Sequence, residues 1–112
     1  MNLTQIQAQV APPQDVRTGL IAYAKCVVDD LIFLDGIAVR VDLGGRIVTS
    51  FPARTDRHAK RHPYFRFVQS EVAREFGEKL IDGVIAYLGP ETIREAASTA
   101  RAFAKARGRA QA

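Results

Sequence analysis

The first half of the chain alternates apolar and polar side chains with a period of two, which is typical of strands with one buried face. This pattern predicts four strands, over residues 3–10, 19–28, 31–41 and 46–51. Residues that favour turns separate or end them: Pro12-Pro13, Asp29-Asp30, Gly44-Gly45 and Pro52. Since the connections between the last three strands are short, these strands are expected to form an antiparallel meander. Gly36 inside the third strand indicates a bulge or a close backbone approach.

The hydrophobic period then changes to that of a helix. From about Phe65 to Leu88, apolar residues recur at four-residue steps: Val68, Val72, Phe76, Leu80, Val84 and Leu88. Gly89-Pro90 ends this helix and begins a second one, from Glu91 to about Lys105. The second helix has a thin apolar stripe of Ile93, Ala97, Ala100 and Phe103. Because the first helix is the best cover for the apolar face of the sheet, the predicted fold class is α+β, in one domain spanning residues 1–112.

The composition is that of an ordinary folded domain, with 47% hydrophobic and 25% charged residues. A chain of 112 residues is small enough for self-association to add useful burial. The single cysteine, Cys26, cannot form an internal disulfide and favours a reducing compartment. With no signal-peptide pattern and no apolar stretch of membrane-spanning length, we expect a cytoplasmic protein with no membrane partner.

Positive charge is concentrated in two segments of the chain. The formal net charge is +4, but residues 54–66 alone carry +4 and residues 91–109 carry +3, so the remainder sums to −3. Such asymmetry points to a polyanion surface more strongly than the total charge does.

The first basic segment, FPARTDRHAKRHPYF at residues 51–65, predicts a loop that binds phosphate. Like charges crowded in one loop repel each other, and a polyanion relieves that repulsion while releasing counterions. The segment also leads into a predicted helix, whose N-terminal amides favour anions. The candidate phosphate ligands are Arg54, Arg57, Lys60, Arg61 and Arg66. Tyr64 or Phe65 is a candidate for base stacking, and the alternative is a solvated loop whose aromatic side chains belong to the core.

Three stretches in this order, DGIAVRV (35–41), GRIVTSFPAR (45–54) and His62-Pro63 ahead of a helix, resemble the stage V sporulation protein G family of septation proteins. The resemblance covers roughly residues 18–88 and leaves out the C-terminal helix at 90–107. It implies a small antiparallel sheet backed by a helix, a homodimer, and a regulator in sporulation and septation that binds preferred sites on DNA and also binds RNA.

Carried over by position, the resemblance places Arg54 on the basic step that follows the family's proline. His62 and Pro63 fall on the family's His-Pro step, and Arg74 matches a helix arginine loosely. The loop between them departs from the family pattern, since it has no glycine and more cations, and the segment from Pro63 to the helix is longer.

Other kinds of chemistry have little support in the sequence. His58 and His62 are four residues apart, as two metal ligands on a helix would be, but Pro63 argues against a helix and no further ligands complete a site. We therefore expect no metal and no cofactor, and interpret His62 as a hydrogen-bonding residue that fixes a turn with Pro63. No nucleophile, phosphate-loop or dinucleotide motif is present, so we do not expect an enzyme.

These patterns predict a homodimeric nucleic-acid-binding regulator in which the loop at 54–66 contacts DNA or RNA. The dimer seam is expected along a sheet edge, in strand 31–41 or strand 46–51. The alternative is a protein-interaction module in cell-division control, which would use the apolar sheet face and the second helix. Three roles stay open for the basic tail, namely a solubilising helix end, a second nucleic-acid arm, and packing on a dimer mate; its cations are Arg101, Lys105, Arg107 and Arg109.

Overall fold

The computed structural model describes residues 1–111, and the side chains of residues 1–106. The elements in chain order are β1 (Leu3–Val10), α1 (Pro13–Val16), β2 (Leu20–Val28), β3 (Ile32–Val41), β4 (Ile47–Ser50), β5 (Ala53–Thr55), β6 (Arg61–Pro63), α2 (Ser70–Leu88) and α3 (Pro90–Gln111). Strands β1 to β4 form one antiparallel sheet in chain order, and β5 pairs with β6 in a separate two-stranded sheet. The predicted α+β class, with four antiparallel strands followed by two helices, is confirmed.

The predicted turn between β2 and β3 lies in a three-residue connection, Asp29 to Leu31, in which the N–H of Leu31 donates to the carbonyl of Val28 at 2.9 Å. Asp29 and Asp30 both adopt a left-handed backbone, with φ of 52° and 56°, as a type I′ turn requires. Such a turn matches the natural twist of the two strands it joins. Short polar side chains tolerate this conformation better than bulky ones do, so the acidic pair has a structural explanation.

The bulge expected at Gly36 is present. The register of β2 against β3 shifts between Ala24 and Cys26, and Gly36 has a φ of +70°. A Cβ at Gly36 would lie 3.9 Å from the ring of Pro52. The bulge in β3 therefore lies beside the residue that leads into the β5–β6 hairpin.

Both long helices cover the same face of the sheet. The shared core contains Leu20, Ala22, Ala24, Cys26, Ile37, Val39, Val41, Phe76, Leu80, Val84, Ile93, Ala97 and Ala100. A side chain at Gly83 would overlap Ile6, so this glycine lets α2 lie close to β1. The first of these helices, α2, was expected to cover the apolar face of the sheet, but α3 shares this role. Among the described residues, no helix has an apolar stretch long enough to cross a membrane.

Helix α2 begins at Ser70 rather than near Phe65, where the sequence pattern placed its start. The rings of Phe65 and Phe67 lie 4.8 and 5.9 Å from the ring of Phe51. Packing these two rings against the end of the sheet competes with continuing the helix, and packing prevails. Val68, the first residue of the predicted helical stripe, lies outside the helix and is exposed.

Helix α3 is longer than predicted and reaches Gln111. Its buried stripe continues through Ala104 rather than Phe103, whose partly exposed ring lies 5.8 Å from the guanidinium of Arg17. Arg101 Nε donates to the carbonyl of Gly45 at 2.9 Å and ties the helix to the β3–β4 turn. The apolar stripe of α3 is thus occupied by the chain's own sheet rather than left for a dimer mate. The side chains of Arg107 and Arg109 lie outside the described residues.

Candidate nucleic-acid interface

The segment predicted to be a basic loop is a short β-hairpin. Ala53 pairs with Pro63, Arg54 with His62, and Thr55 with Arg61. His62 and Pro63 therefore lie in a strand rather than in a turn, and residues 56–60 form the tip. Hydrophobic periodicity does not indicate this hairpin because its strands have only three residues each and are largely exposed.

Asp56 holds the tip of the hairpin together. Its Oδ1 accepts the backbone N–H groups of His58 and Lys60 at 2.8 and 3.0 Å, and its Oδ2 accepts a hydrogen bond from His62 Nε2 at 2.8 Å. The hydrogen bond from His62, together with those two backbone groups, lowers the pKa of the Asp56 carboxyl. The one acid among residues 54–66 is thus engaged in shaping the hairpin.

Four exposed cations project from this hairpin: Arg54, Arg57, Lys60 and Arg61. Three exposed cations elsewhere have carboxylate partners, in the pairs Arg46–Asp42, Lys79–Glu75 and Arg94–Glu91. Over residues 1–106, whose side chains are described, none of the four hairpin cations forms an ion pair with a carboxylate. The hairpin therefore carries an un-neutralised charge of four cations less one acid.

Strand pairing places two of these cations, Arg54 and Arg61, on opposite faces of the hairpin. Directly opposite residues share a face, so Arg54 lies with His62 and Arg61 lies with Thr55 on the other side. Arg61 donates to the carbonyl of Phe51, at the point where the hairpin leaves the main sheet. Arg61 thus faces the main sheet, and Arg54 faces away from it.

Arg66 and Arg74, also predicted to contact phosphate, do not belong to the hairpin. Arg66 lies in the connection to α2 and lines an apolar groove with Phe33 and Phe67. Arg74 lies in the second turn of α2 and lines a groove beside β4. The structure therefore brings together four of the six predicted cations.

The connection at residues 64–69 changes two further expectations. It separates the hairpin from α2, so the helix N-terminus does not follow directly on the basic segment. The ring of Phe65 packs on Phe51 in an aromatic cluster that reaches Phe76, which makes Phe65 a packing residue. Tyr64 is exposed at the base of the hairpin, where its N–H donates to the carbonyl of Pro52 at 3.0 Å.

The two histidines already have hydrogen-bond partners inside the hairpin. His58 Nε2 accepts from Arg57 Nε at 3.3 Å, and His62 donates to Asp56. Within the described residues, no group of three or more His, Cys, Asp or Glu side chains is placed to hold a metal ion. Cys26 is buried, and burial raises the pKa of its thiol, which disfavours the reactive thiolate.

Sequence reasoning missed an exposed apolar patch, here called the β3 patch, which is formed by Leu31, Ile32 and Phe33. Each of the three side chains is more than half exposed. β4 pairs with β3 only from Ala38 to Val41, so over residues 1–111 the first half of β3 has no strand on its outer side. The run of apolar residues from Leu31 to Leu34 is the sequence signal that could have indicated this patch, because such a run interrupts the alternation of a half-buried strand.

Removing the ring of His62 is expected to raise the pKa of Asp56 toward the usual value of about 3.9. Because the pKa of Asp56 is lowered in the folded hairpin, the ionised carboxylate stabilises the folded state. This stabilisation is present above about pH 3.9 and is lost as the pH falls through the folded pKa. Carboxyl-detected NMR titration measures this midpoint in wild type and in His62→Ala. His58→Ala is the control, since it keeps the backbone N–H that Asp56 accepts. A wild-type midpoint at or above the usual value would contradict the assigned role of Asp56.

No protein-family model matches the chain, and no curated protein matches it significantly. The function is therefore inferred from the geometry of the hairpin, with the family resemblance as support.

Proposed function

We propose that the protein is a nucleic-acid-binding regulator that captures backbone phosphates with the β5–β6 hairpin. The observation that carries this proposal is the set of four exposed hairpin cations without carboxylate partners. The fold gains nothing evident from crowding these charges, whereas a polyphosphate backbone offers them oxygen acceptors at regular spacing. Arg54, Arg57 and Arg61 are suited to two-pronged phosphate contacts, and Lys60 acts as a point charge.

The resemblance to the stage V sporulation protein G family supports the regulatory part of the proposal. The stretches that carry the resemblance fall in β3, in β4 and in the hairpin, which form one continuous part of the structure. The family's binding of preferred DNA sites, and of RNA, is therefore proposed for this surface, with Arg54 and His62 at the matching positions.

We further propose that the protein is a homodimer joined along the first half of β3. Of the two strands considered for the seam, this one combines an unpaired outer edge with the exposed β3 patch. Antiparallel pairing of two copies across a two-fold axis would satisfy the free backbone groups and cover Ile32 and Phe33. Exposed apolar patches of this kind mark association surfaces.

The protein-interaction alternative loses one of the two surfaces assigned to it, because α2 and α3 cover the apolar sheet face. The β3 patch is an apolar surface that remains exposed. A second copy of the chain accounts for this patch without a further partner.

Binding of the wild-type protein to a labelled DNA duplex is expected to weaken steeply with salt. Each neutralised phosphate contributes a slope of about 0.9 in log K against log salt, so the four contacts of one hairpin predict a loss on the order of 100-fold between about 50 and 200 mM salt, and a dimer that engages both hairpins predicts a steeper loss. Fluorescence anisotropy over a salt series measures this slope. The proposal fails if the duplex is not bound in dilute buffer, or if the affinity does not change with salt.

A further inference from the structure

The sheet face opposite the helices has an exposed tyrosine at its centre. Tyr23 of β2 lies opposite Gln9 of β1 and Ala38 of β3, and Ala38 lies opposite Ser50 of β4. These four residues form one row across the open face, because directly paired residues point to the same side. Tyr23 is 47% exposed, whereas the small side chain of Ala38 beside it is 9% exposed. The ring of Tyr23 therefore lies beside a shallow surface formed by Ala38.

Three cations border this row. Lys25 is two residues from Tyr23 along β2, and Arg40 is two residues from Ala38 along β3, so both point to the open face. Arg61 reaches the same face from the hairpin. A single groove joins the two arginines to the tyrosine, and it is lined in part by Tyr23, Gly36, Ala38, Arg40, Ser50 and Arg61.

The two arginines are held in position without being neutralised. Arg40 Nη1 donates to the carbonyl of Thr18 at 3.2 Å, and Arg61 donates to the carbonyl of Phe51. A guanidinium has five N–H donors, so each arginine keeps donors for an incoming anion. Over residues 1–106, neither one forms an ion pair with a carboxylate. Their charge is therefore both fixed in place and available.

We propose that this open face binds unpaired nucleotides of DNA or RNA. A base stacks on the ring of Tyr23 above Ala38, and the phosphates on either side of it contact Arg40 and Arg61. This inference rests on the proposed nucleic-acid function and names its ligand as a single-stranded segment. A base inside a duplex is stacked on both sides and cannot reach Tyr23, whereas an unpaired base presents a free face whatever its identity.

The test compares Tyr23→Thr, which removes the ring but keeps a residue suited to a strand, with Tyr23→Phe, which keeps the ring. Fluorescence anisotropy measures the affinity for short single strands of DNA and of RNA, about 12 nucleotides long, and for the matching DNA duplex. Tyr23→Thr is expected to weaken single-strand binding by about tenfold or more, because one stacked base contributes that much. Tyr23→Phe is expected to bind single strands like wild type, and both variants are expected to bind the duplex like wild type.

The outcomes separate this inference from the proposed function. Loss of affinity in the DNA arm or in the RNA arm supports the stacking role and identifies the ligand. Unchanged single-strand affinity in Tyr23→Thr, or an equal loss for the duplex, overturns it. A wild-type protein that binds duplex but neither single strand overturns this inference alone, and one that binds nothing overturns the proposed function as well. NMR gives an independent readout on wild type, because ring protons of Tyr23 that do not shift at saturating single strand also overturn the inference.

Discussion

Replacing Arg57, Lys60 and Arg61 together by alanine is expected to reduce duplex affinity by at least about 100-fold near physiological salt. Three lost phosphate contacts should also lower the slope of log K against log salt by about 2.7 for each hairpin that engages the duplex. The hairpin should keep its shape, because Asp56 is held by backbone N–H groups and by the ring of His62, and none of these is removed. Anisotropy titrations over a salt series measure both quantities.

The matched control removes three cations that already have partners. Arg46→Ala/Lys79→Ala/Arg94→Ala changes the net charge by the same amount, but each of these side chains pairs with a carboxylate. Exposed pairs of this kind contribute little to stability, so the control should fold normally. It should also retain most of its duplex affinity. Equal losses in the two triple variants would mean that net charge, rather than the hairpin, determines binding.

The sheet was predictable because a strand with one buried face shows alternating apolar and polar residues in the sequence. Alternation places Ala22, Ala24 and Cys26 on the buried side of β2, and the structure buries all three. The hairpin shows no such alternation, since β5 and β6 bury neither face completely. The predicted start of α2 was wrong for a different reason. Phe65 fits a helical period, but a cluster of rings around Phe51 competes for it, and that competition is invisible to a local pattern.

Charge density alone located the basic segment, but it did not give the arrangement of the cations. The placement of Arg54 and Arg61 on opposite faces follows from strand pairing, which the sequence did not indicate. The open-face groove joins Tyr23, Arg40 and Arg61, which lie far apart in the chain and meet only through the register of the sheet. Sites assembled in this way are not encoded in any short motif, so they appear only once the topology is known.

Replacing Phe33 by glutamate is expected to convert the proposed dimer to a monomer. Phe33 is 59% exposed in one copy, so the change should cost the isolated fold little. At a two-fold seam along β3, however, it would bury two like charges near each other without partners, which typically costs several kcal/mol. The dimer dissociation constant should then rise by about 100-fold or more. Sedimentation velocity over a concentration series measures this change.

Leu43→Glu is the matched control for the seam. Leu43 is 80% exposed in the β3–β4 turn, at the other end of a strand of ten residues, which spans roughly 30 Å. The substitution introduces the same charge and removes a similar apolar side chain, yet it should leave the dimer intact. A Phe33→Glu protein that stays dimeric, or a wild-type protein that is monomeric at all concentrations, would place the seam elsewhere or remove it.

Loss of the proposed dimer should also weaken binding to a duplex, because the proposed seam and the hairpin are neighbours. The hairpin leaves the sheet at Pro52, whose ring lies beside the bulge at Gly36, directly after the free edge of β3. Two-fold pairing at that edge would therefore bring two hairpins to one assembly, and binding of the second hairpin to the same duplex becomes intramolecular. Phe33→Glu is thus expected to lower the salt slope for duplex binding by about half, whereas Leu43→Glu should not change it.

A short single strand occupies the open face of one protomer, so its affinity should be the same in both variants. A Phe33→Glu monomer that binds duplex as tightly as wild type would show that each hairpin acts alone.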